Sequence, residues 1–78
     1  MEVEVRVPDF EDVEKVTVSY WHFKEGDQVE EGKDLVEVAT EKAVFNIPAP
    51  CSGILKTQMV KEGETIRPSE VIAVIQKQ

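Results

Sequence analysis

The chain has 78 residues and a mass of 8.8 kDa, of which 41% are apolar and 32% charged. That composition describes one small globular domain, residues 1–78, whose single thin core buries about 60–65% of the surface exposed on unfolding. Such a size excludes a self-contained enzyme with separate cofactor and substrate domains, and a net charge of −7 makes nucleic acid and acidic membrane surfaces poor partners.

In chain order, the first segment alternates. Val3, Val5 and Val7 point one way while Glu2, Glu4 and Arg6 point the other, the period of a half-buried strand. Pro8-Asp9 interrupts it, and a single helical turn is expected around Asp9–Val13. Val16, Val18 and Tyr20 renew the alternation, with Thr17 and Ser19 opposite. Short apolar runs follow at Leu35–Val38, Ala43–Ile47, Gly53–Leu55 and Val71–Ile75. Between them stand Glu25-Gly26-Asp27, Glu31-Gly32-Lys33, Pro48-Ala49-Pro50 and Glu62-Gly63-Glu64. Glycine reaches the positive φ of tight turns, and proline cannot donate to a central ladder. Short strands with regular turn signals predict an all-β sandwich or barrel.

The chain also repeats itself. Phe23-Lys24-Glu25-Gly26-Asp27-Gln28-Val29 is echoed 37 residues later by Val60-Lys61-Glu62-Gly63-Glu64-Thr65-Ile66. At the same shift Leu35 matches Ile72 and Val38 matches Ile75. Two like halves about an approximate two-fold axis are expected, with the hairpins ending each half at opposite poles.

Charge is uneven along the chain. Residues 1–39 carry twelve acids and four bases, residues 40–78 four acids and five bases. One cysteine excludes an internal disulfide, and one histidine beside it gives too few ligands for a structural zinc, so no metal is expected. No apolar run approaches the about 20 residues of a membrane helix. No basic-then-apolar leader is present, so a reducing, intracellular location is expected: the cytoplasm, or the mitochondrial matrix of a eukaryote.

Between the two halves, Val36–Ala39 and Val44–Ile47 flank a polar tip containing Glu41-Lys42. This reads as a hairpin presenting Lys42 to solvent. With seven lysines in the chain, spacing alone does not single out Lys42.

The ordered set of motifs does. Ala39-Thr40-Glu41-Lys42-Ala43, then Ile47-Pro48-Ala49-Pro50-Cys51-Ser52-Gly53, resembles the lipoyl domain of 2-oxo acid dehydrogenase complexes, as borne by their dihydrolipoamide acyltransferase components. Trp21-His22-Phe23-Lys24-Glu25-Gly26-Asp27 and Gly32-Lys33-Asp34-Leu35 extend the resemblance over Val3 to Ile75. Gly26 lies 16 residues before Lys42 and Gly53 lies 11 after it, as in that family. The resemblance implies a flattened barrel-sandwich of two four-stranded antiparallel sheets, with lipoic acid joined by an amide to Lys42. Thr40, Glu41 and Ala43 would flank the lysine for recognition, and Gly26 and Gly53 would be structural. It further implies a swinging-arm carrier with no catalytic residues of its own. The arm would be loaded by a lipoate ligase or lipoyl transferase and acylated by a thiamine-diphosphate-dependent 2-oxo acid decarboxylase. It would then visit an acyltransferase core and a dihydrolipoamide dehydrogenase.

Two positions depart from the family's pattern: Glu41 stands where aspartate is usual, and Ala39 where an acid is frequent. These bear on recognition by the decarboxylase more than on modification. No Ala/Pro-rich linker or acyltransferase core follows Gln78, so the chain is either a piece of a larger subunit or a free-standing carrier. Two alternatives stay open: a biotinyl carrier, whose tip resembles Ala-Met-Lys-Met, and an unmodified barrel used as an interaction module. Trp21 and Phe23 are expected to pack the barrel, His22 to be exposed, and Cys51 to be buried. Glu11-Asp12, Glu30-Glu31 and Asp34 read as solvated charges that form an acidic face.

Overall fold

Alternating β-branched residues and glycine turns produce eight strands in the computed structural model, which describes residues 1–9 and 14–77. They are β1 (Glu2–Arg6), β2 (Val16–Trp21), β3 (Gln28–Val29), β4 (Asp34–Ala39), β5 (Val44–Pro48), β6 (Gly53–Gln58), β7 (Thr65–Ile66) and β8 (Val71–Lys77). Two four-stranded antiparallel sheets result, ordered β1-β8-β6-β3 and β5-β4-β2-β7. The fold is therefore the all-β sandwich of two sheets that the sequence and the resemblance imply. The helical turn expected around Asp9–Val13 falls largely on residues outside the described ones, as does Glu11-Asp12.

The 37-residue repeat governs the topology. It carries β2 onto β6, β3 onto β7 and β4 onto β8, and β1 and β5 complete the exchange of one sheet for the other. Hydrogen bonds obey the same operation. Gly26 N–H donates to the Leu55 carbonyl and Gly63 N–H to the Val18 carbonyl, both at 2.8 Å. Those glycines hold φ of +94° and +92°, the left-handed conformation that only glycine adopts without cost.

Bulges follow the repeat as well. One extra residue, Ser19 in β2 and Lys56 in β6, interrupts the pairing with β4 and β8. A second pair, Leu35 in β4 and Ile72 in β8, interrupts the pairing with β5 and β1. A bulge reverses the in–out alternation beyond it. This is why consecutive residues Leu35-Val36 and Ile72-Ala73 are all buried. It also corrects the reading of Tyr20. Simple alternation places Tyr20 beside Val16 and Val18, but the Ser19 bulge turns it outward, and it is 55% exposed.

The core between the sheets is wholly apolar among the described residues, with Val16, Val18, Leu35, Val38, Leu55, Ile72 and Ile75 at its centre. Burying each such side chain stabilises by about 1.5–3 kcal/mol. Strands β3 and β7 escape detection by periodicity because each has two residues, yet Val29 and Ile66 anchor them in this core.

Candidate functional site: the β4–β5 hairpin tip

Ala39 at the end of β4 faces Val44 at the start of β5, so four residues, Thr40 to Ala43, make the turn. The Thr40 N–H donates to the Ala43 carbonyl at 2.8 Å, closing the ladder. None of the four holds a positive φ, so the turn needs no glycine. The Thr40 hydroxyl fills the turn instead. It accepts the N–H of Lys42 at 3.3 Å and that of Ala43 at 3.2 Å, and its own proton is directed to the Ala43 carbonyl at 3.3 Å.

Thr40 is half-buried, whereas Glu41, Lys42 and Ala43 are exposed. Among the described residues no carboxylate forms an ion pair with the Lys42 ammonium. The hairpin thus lifts an unengaged primary amine away from the core on a rigid two-stranded support. Sequence reasoning expected Lys42 at this apex, with Thr40, Glu41 and Ala43 around it, and the structure brings these four together.

Gly26 and Gly53 lie elsewhere. Thr17 pairs with Ala39, so the beginning of β2 is at the Lys42 pole. From there β2 runs to Trp21, whose indole N–H donates to the Val60 carbonyl at 3.1 Å in the middle of the molecule. Gln58 bonds the Phe23 carbonyl at 2.8 Å in the same middle region, and β6 continues back from it to Gly53, paired with Lys77. Gly53 therefore occupies the pole opposite Lys42. A Cβ there would collide with the backbone carbonyl of Gln76, so its role is close strand approach.

An open groove beside the tip is lined by Glu14, Lys15, Thr17, Ala39, Thr40, Glu41 and Lys42. Glu14, Lys15 and Thr17 were not singled out by sequence reasoning. Only the pairing of Thr17 with Ala39 brings the entry to β2 alongside the lysine. Conversely, Glu30, Glu31 and Asp34 stand at the base of the hairpin. Asp34 pairs with Pro48, and the Glu31 N–H bonds Ser52 at 3.0 Å. Five residue steps along β4 separate Asp34 from Ala39, about 17 Å. Glu30, Glu31 and Asp34 are therefore not gathered around Lys42; among the described residues Glu14 and Glu41 are the acids lining the groove.

The other conspicuous residues are structural. Trp21 and Phe23 pack half-buried against the core. His22 is exposed, its Nε2 2.8 Å from the Asn46 amide oxygen and its ring edge-on to Tyr20 at 5.3 Å. Cys51 is buried and free, in the β5–β6 connection. Among the described residues no cluster of His, Cys, Asp or Glu is placed to hold a metal ion.

A two-sheet sandwich that displays one lysine on a glycine-free hairpin defines a carrier-type domain, a scaffold for a group attached to an amine. Comparison with known proteins specifies it further. The sequence profile of the biotin and lipoyl attachment family, described as biotin-requiring enzymes, matches residues 3–75, and the chain belongs to this family. It is 36% identical over 76 residues to the dihydrolipoyllysine-residue succinyltransferase component of the 2-oxoglutarate dehydrogenase complex from Buchnera aphidicola subsp. Baizongia pistaciae, covering 96% of this chain and 18% of that one. The corresponding Escherichia coli K12 component is 39% identical over 71 residues, covering 90% of this chain and 18% of that one. The acetyltransferase component of the Acholeplasma laidlawii pyruvate dehydrogenase complex is 40% identical over 65 residues, covering 83% and 12%. The chain thus spans less than a fifth of the length of these curated relatives. In shape it matches the lipoyl domain of the 2-oxoglutarate dehydrogenase complex from Azotobacter vinelandii, with a TM-score of 0.78, 25% identity and 96% of each chain covered.

Proposed function

We propose that the chain is a lipoyl carrier domain in which Lys42 holds lipoic acid through an amide, and that it serves the acyltransferase component of a 2-oxo acid dehydrogenase complex. The observation that carries this reading is the exposed Lys42 amine, without an ion-pair partner among the described residues, at the apex of the β4–β5 turn in a sandwich shaped like a lipoyl domain. Glu41 and Ala43 flank it where a biotinyl tip would carry methionines, which favours lipoate over biotin.

The residues present suit the group. The Lys42 ammonium first gives up a proton; its Nζ lone pair then attacks the carbonyl carbon of an activated carboxylate, the C–N bond forms, the activating group leaves with its bonding electrons and the nitrogen releases a second proton. Amide formation removes one positive charge and frees the arm from the charge pattern of the tip. When bound, the dithiolane supplies thiol–disulfide exchange and thioester formation. The sandwich contributes a rigid anchor, so that the arm's reactive end is held at high local concentration near each active site it visits. Loading belongs to a lipoate ligase or lipoyl transferase. Acylation belongs to a thiamine-diphosphate-dependent 2-oxo acid decarboxylase, and discharge and reoxidation to an acyltransferase core and a dihydrolipoamide dehydrogenase. In this reading the domain is a tethered substrate without catalysis of its own, and it works in the cytoplasm or a mitochondrial matrix.

Incubating the chain with lipoate, ATP and a lipoate ligase, followed by intact mass and peptide mapping, tests the assignment. A lipoyl increment on Lys42 that disappears in Lys42→Arg is expected. A biotinyl increment from a biotin ligase instead, or no increment where a known lipoyl domain is modified, overturns it.

A further inference from the structure

We propose that the Thr40 hydroxyl is the positioning group that fixes the Lys42 backbone for acylation. This rests on Lys42 being the lipoylated residue.

Two-residue hairpin tips favour positive φ at their central positions, hence their usual preference for Asn-Gly or Asp-Gly, whereas four-residue tips such as Thr40 to Ala43 are most often built around a type I turn. Glu41 and Lys42, at the centre of this turn, hold no positive φ. The N–H groups that such a turn points inward must still be satisfied. A hydroxyl has one proton and two lone pairs. At Thr40 all three are used within the turn: both lone pairs on the Lys42 and Ala43 N–H groups, the proton on the Ala43 carbonyl. The half-buried Thr40 also joins the turn to the β4 ladder through its own N–H. The lysine backbone is therefore held by a side chain two residues before it, while its own side chain is left free.

The consequence concerns chemistry. Nucleophilic attack by Nζ needs the lysine stem to leave the sandwich in one direction when the modifying enzyme encloses the tip. Without the hydroxyl, the Lys42 and Ala43 N–H groups turn to water and the apex samples other turn geometries. Thr40 touches neither the amine nor the acyl donor; it acts through the Lys42 backbone.

Thr40→Val keeps shape and removes the acceptor, whereas Thr40→Ser keeps the hydroxyl and removes the methyl. For both variants and wild type we would measure thermal midpoint, amide hydrogen exchange at Lys42 and Ala43, and kcat and KM for the acceptor domain with lipoic acid, ATP and a lipoate ligase. With Thr40→Val, an unchanged fold, exchange about tenfold faster at the two amides and kcat/KM lowered about tenfold are expected, as for loss of one to two hydrogen bonds. Thr40→Ser should restore all three to within about twofold. A folded Thr40→Val domain lipoylated at the wild-type kcat/KM overturns the role of Thr40. So does a Thr40→Ser domain with protected amides that is still poorly lipoylated, since that makes the methyl a direct recognition element. Wild type that stays unmodified overturns the lipoyl assignment itself, and the exchange data then still report whether the hydroxyl builds the turn.

Discussion

The Trp21 backbone N–H meets the Glu62 carboxylate at 3.0 Å, and the same bond recurs between the Gln58 N–H and Glu25 at 2.8 Å, each partner displaced by 37 residues. Both tie the end of a bulged strand to the glycine turn of the other half. Even the side chains repeat: the Trp21 indole reaches the Val60 carbonyl as the Gln58 amide reaches that of Phe23. A backbone N–H that donates to an exposed carboxylate contributes about 1 kcal/mol net. Glu62→Ala and Glu25→Ala should each lower the stability measured by urea unfolding by about that amount. Glu62→Gln should retain much of it, because the amide oxygen still accepts. Equal midpoints for wild type and both alanine variants would show the bonds to be replaced by water without loss.

The repeat also locates a defect. Gly32 and Ser69 correspond at the shift of 37, and their N–H groups donate to the Ala49 and Val7 carbonyls in matching turns. Gly32 holds φ +86° and Ser69 φ +70°, so a residue with a Cβ occupies a left-handed position that its counterpart gives to glycine. A left-handed φ costs an L-residue about 1–2 kcal/mol. Ser69→Gly should stabilise the domain by about 0.5–1 kcal/mol, since the greater freedom of glycine when unfolded offsets part of the relief. Gly32→Ser should destabilise it by a similar amount. The midpoint of urea unfolding at constant slope reads both, and a lower midpoint for Ser69→Gly would count against the strain.

That pair shows what could be read from the sequence. The Lys-Glu-Gly-acid echo was visible without coordinates, and it encodes the sheet exchange, the paired glycine turns and hence the two-fold plan. The Lys42 tip was likewise visible, because its flanking strands are apolar and its motif neighbours are ordered. Residues governed by non-local pairing were not. Simple alternation puts Tyr20 on the wrong face because the Ser19 bulge depends on the partner strand, and nothing local announces it. Strands β3 and β7 are too short to show a period. Glu14, Lys15 and Thr17 join the tip through the Thr17–Ala39 pairing alone. Glu30, Glu31 and Asp34 precede the lysine in sequence but stand a strand's length from it.

Gly53 is constrained by space and not by torsion. It sits where β6 meets both β3 and β8, pairing with Val29 and Lys77, and a Cβ would strike the Gln76 backbone. Backbone of a central strand cannot yield as a flexible side chain does. Gly53→Ala should therefore cost about 1–3 kcal/mol, the usual range for forcing atoms into a packed interior. Because this pole is opposite the hairpin, the folded fraction of the variant should accept lipoate at Lys42 at the wild-type rate. An unchanged unfolding midpoint would mean that β6 and β8 separate at no cost.

Glu2 on β1 and Lys56 on β6 pair across the outer face of β8, linking two strands that are not neighbours in the sheet. The hydrogen bond from Lys56, reinforced by its charge, lowers the Glu2 pKa below the ordinary glutamate value. A carboxyl whose pKa is lower folded than unfolded adds stability above its unfolded pKa, and that stability is lost as pH falls through the folded one. The link is therefore present at neutral pH and disappears on acidification below the usual glutamate range. Both groups are largely in water, so the effect on global stability is small and salt-sensitive. The sensitive observable is the Glu2 carboxyl itself. Its titration by NMR should show a midpoint below that of a free glutamate, and Lys56→Ala should raise it toward the ordinary value. Added salt should move the wild-type midpoint in the same direction, because screening weakens the charge attraction while leaving the strands paired. A Glu2 midpoint that does not respond to Lys56→Ala would show that the pair does not link β1 to β6 in solution.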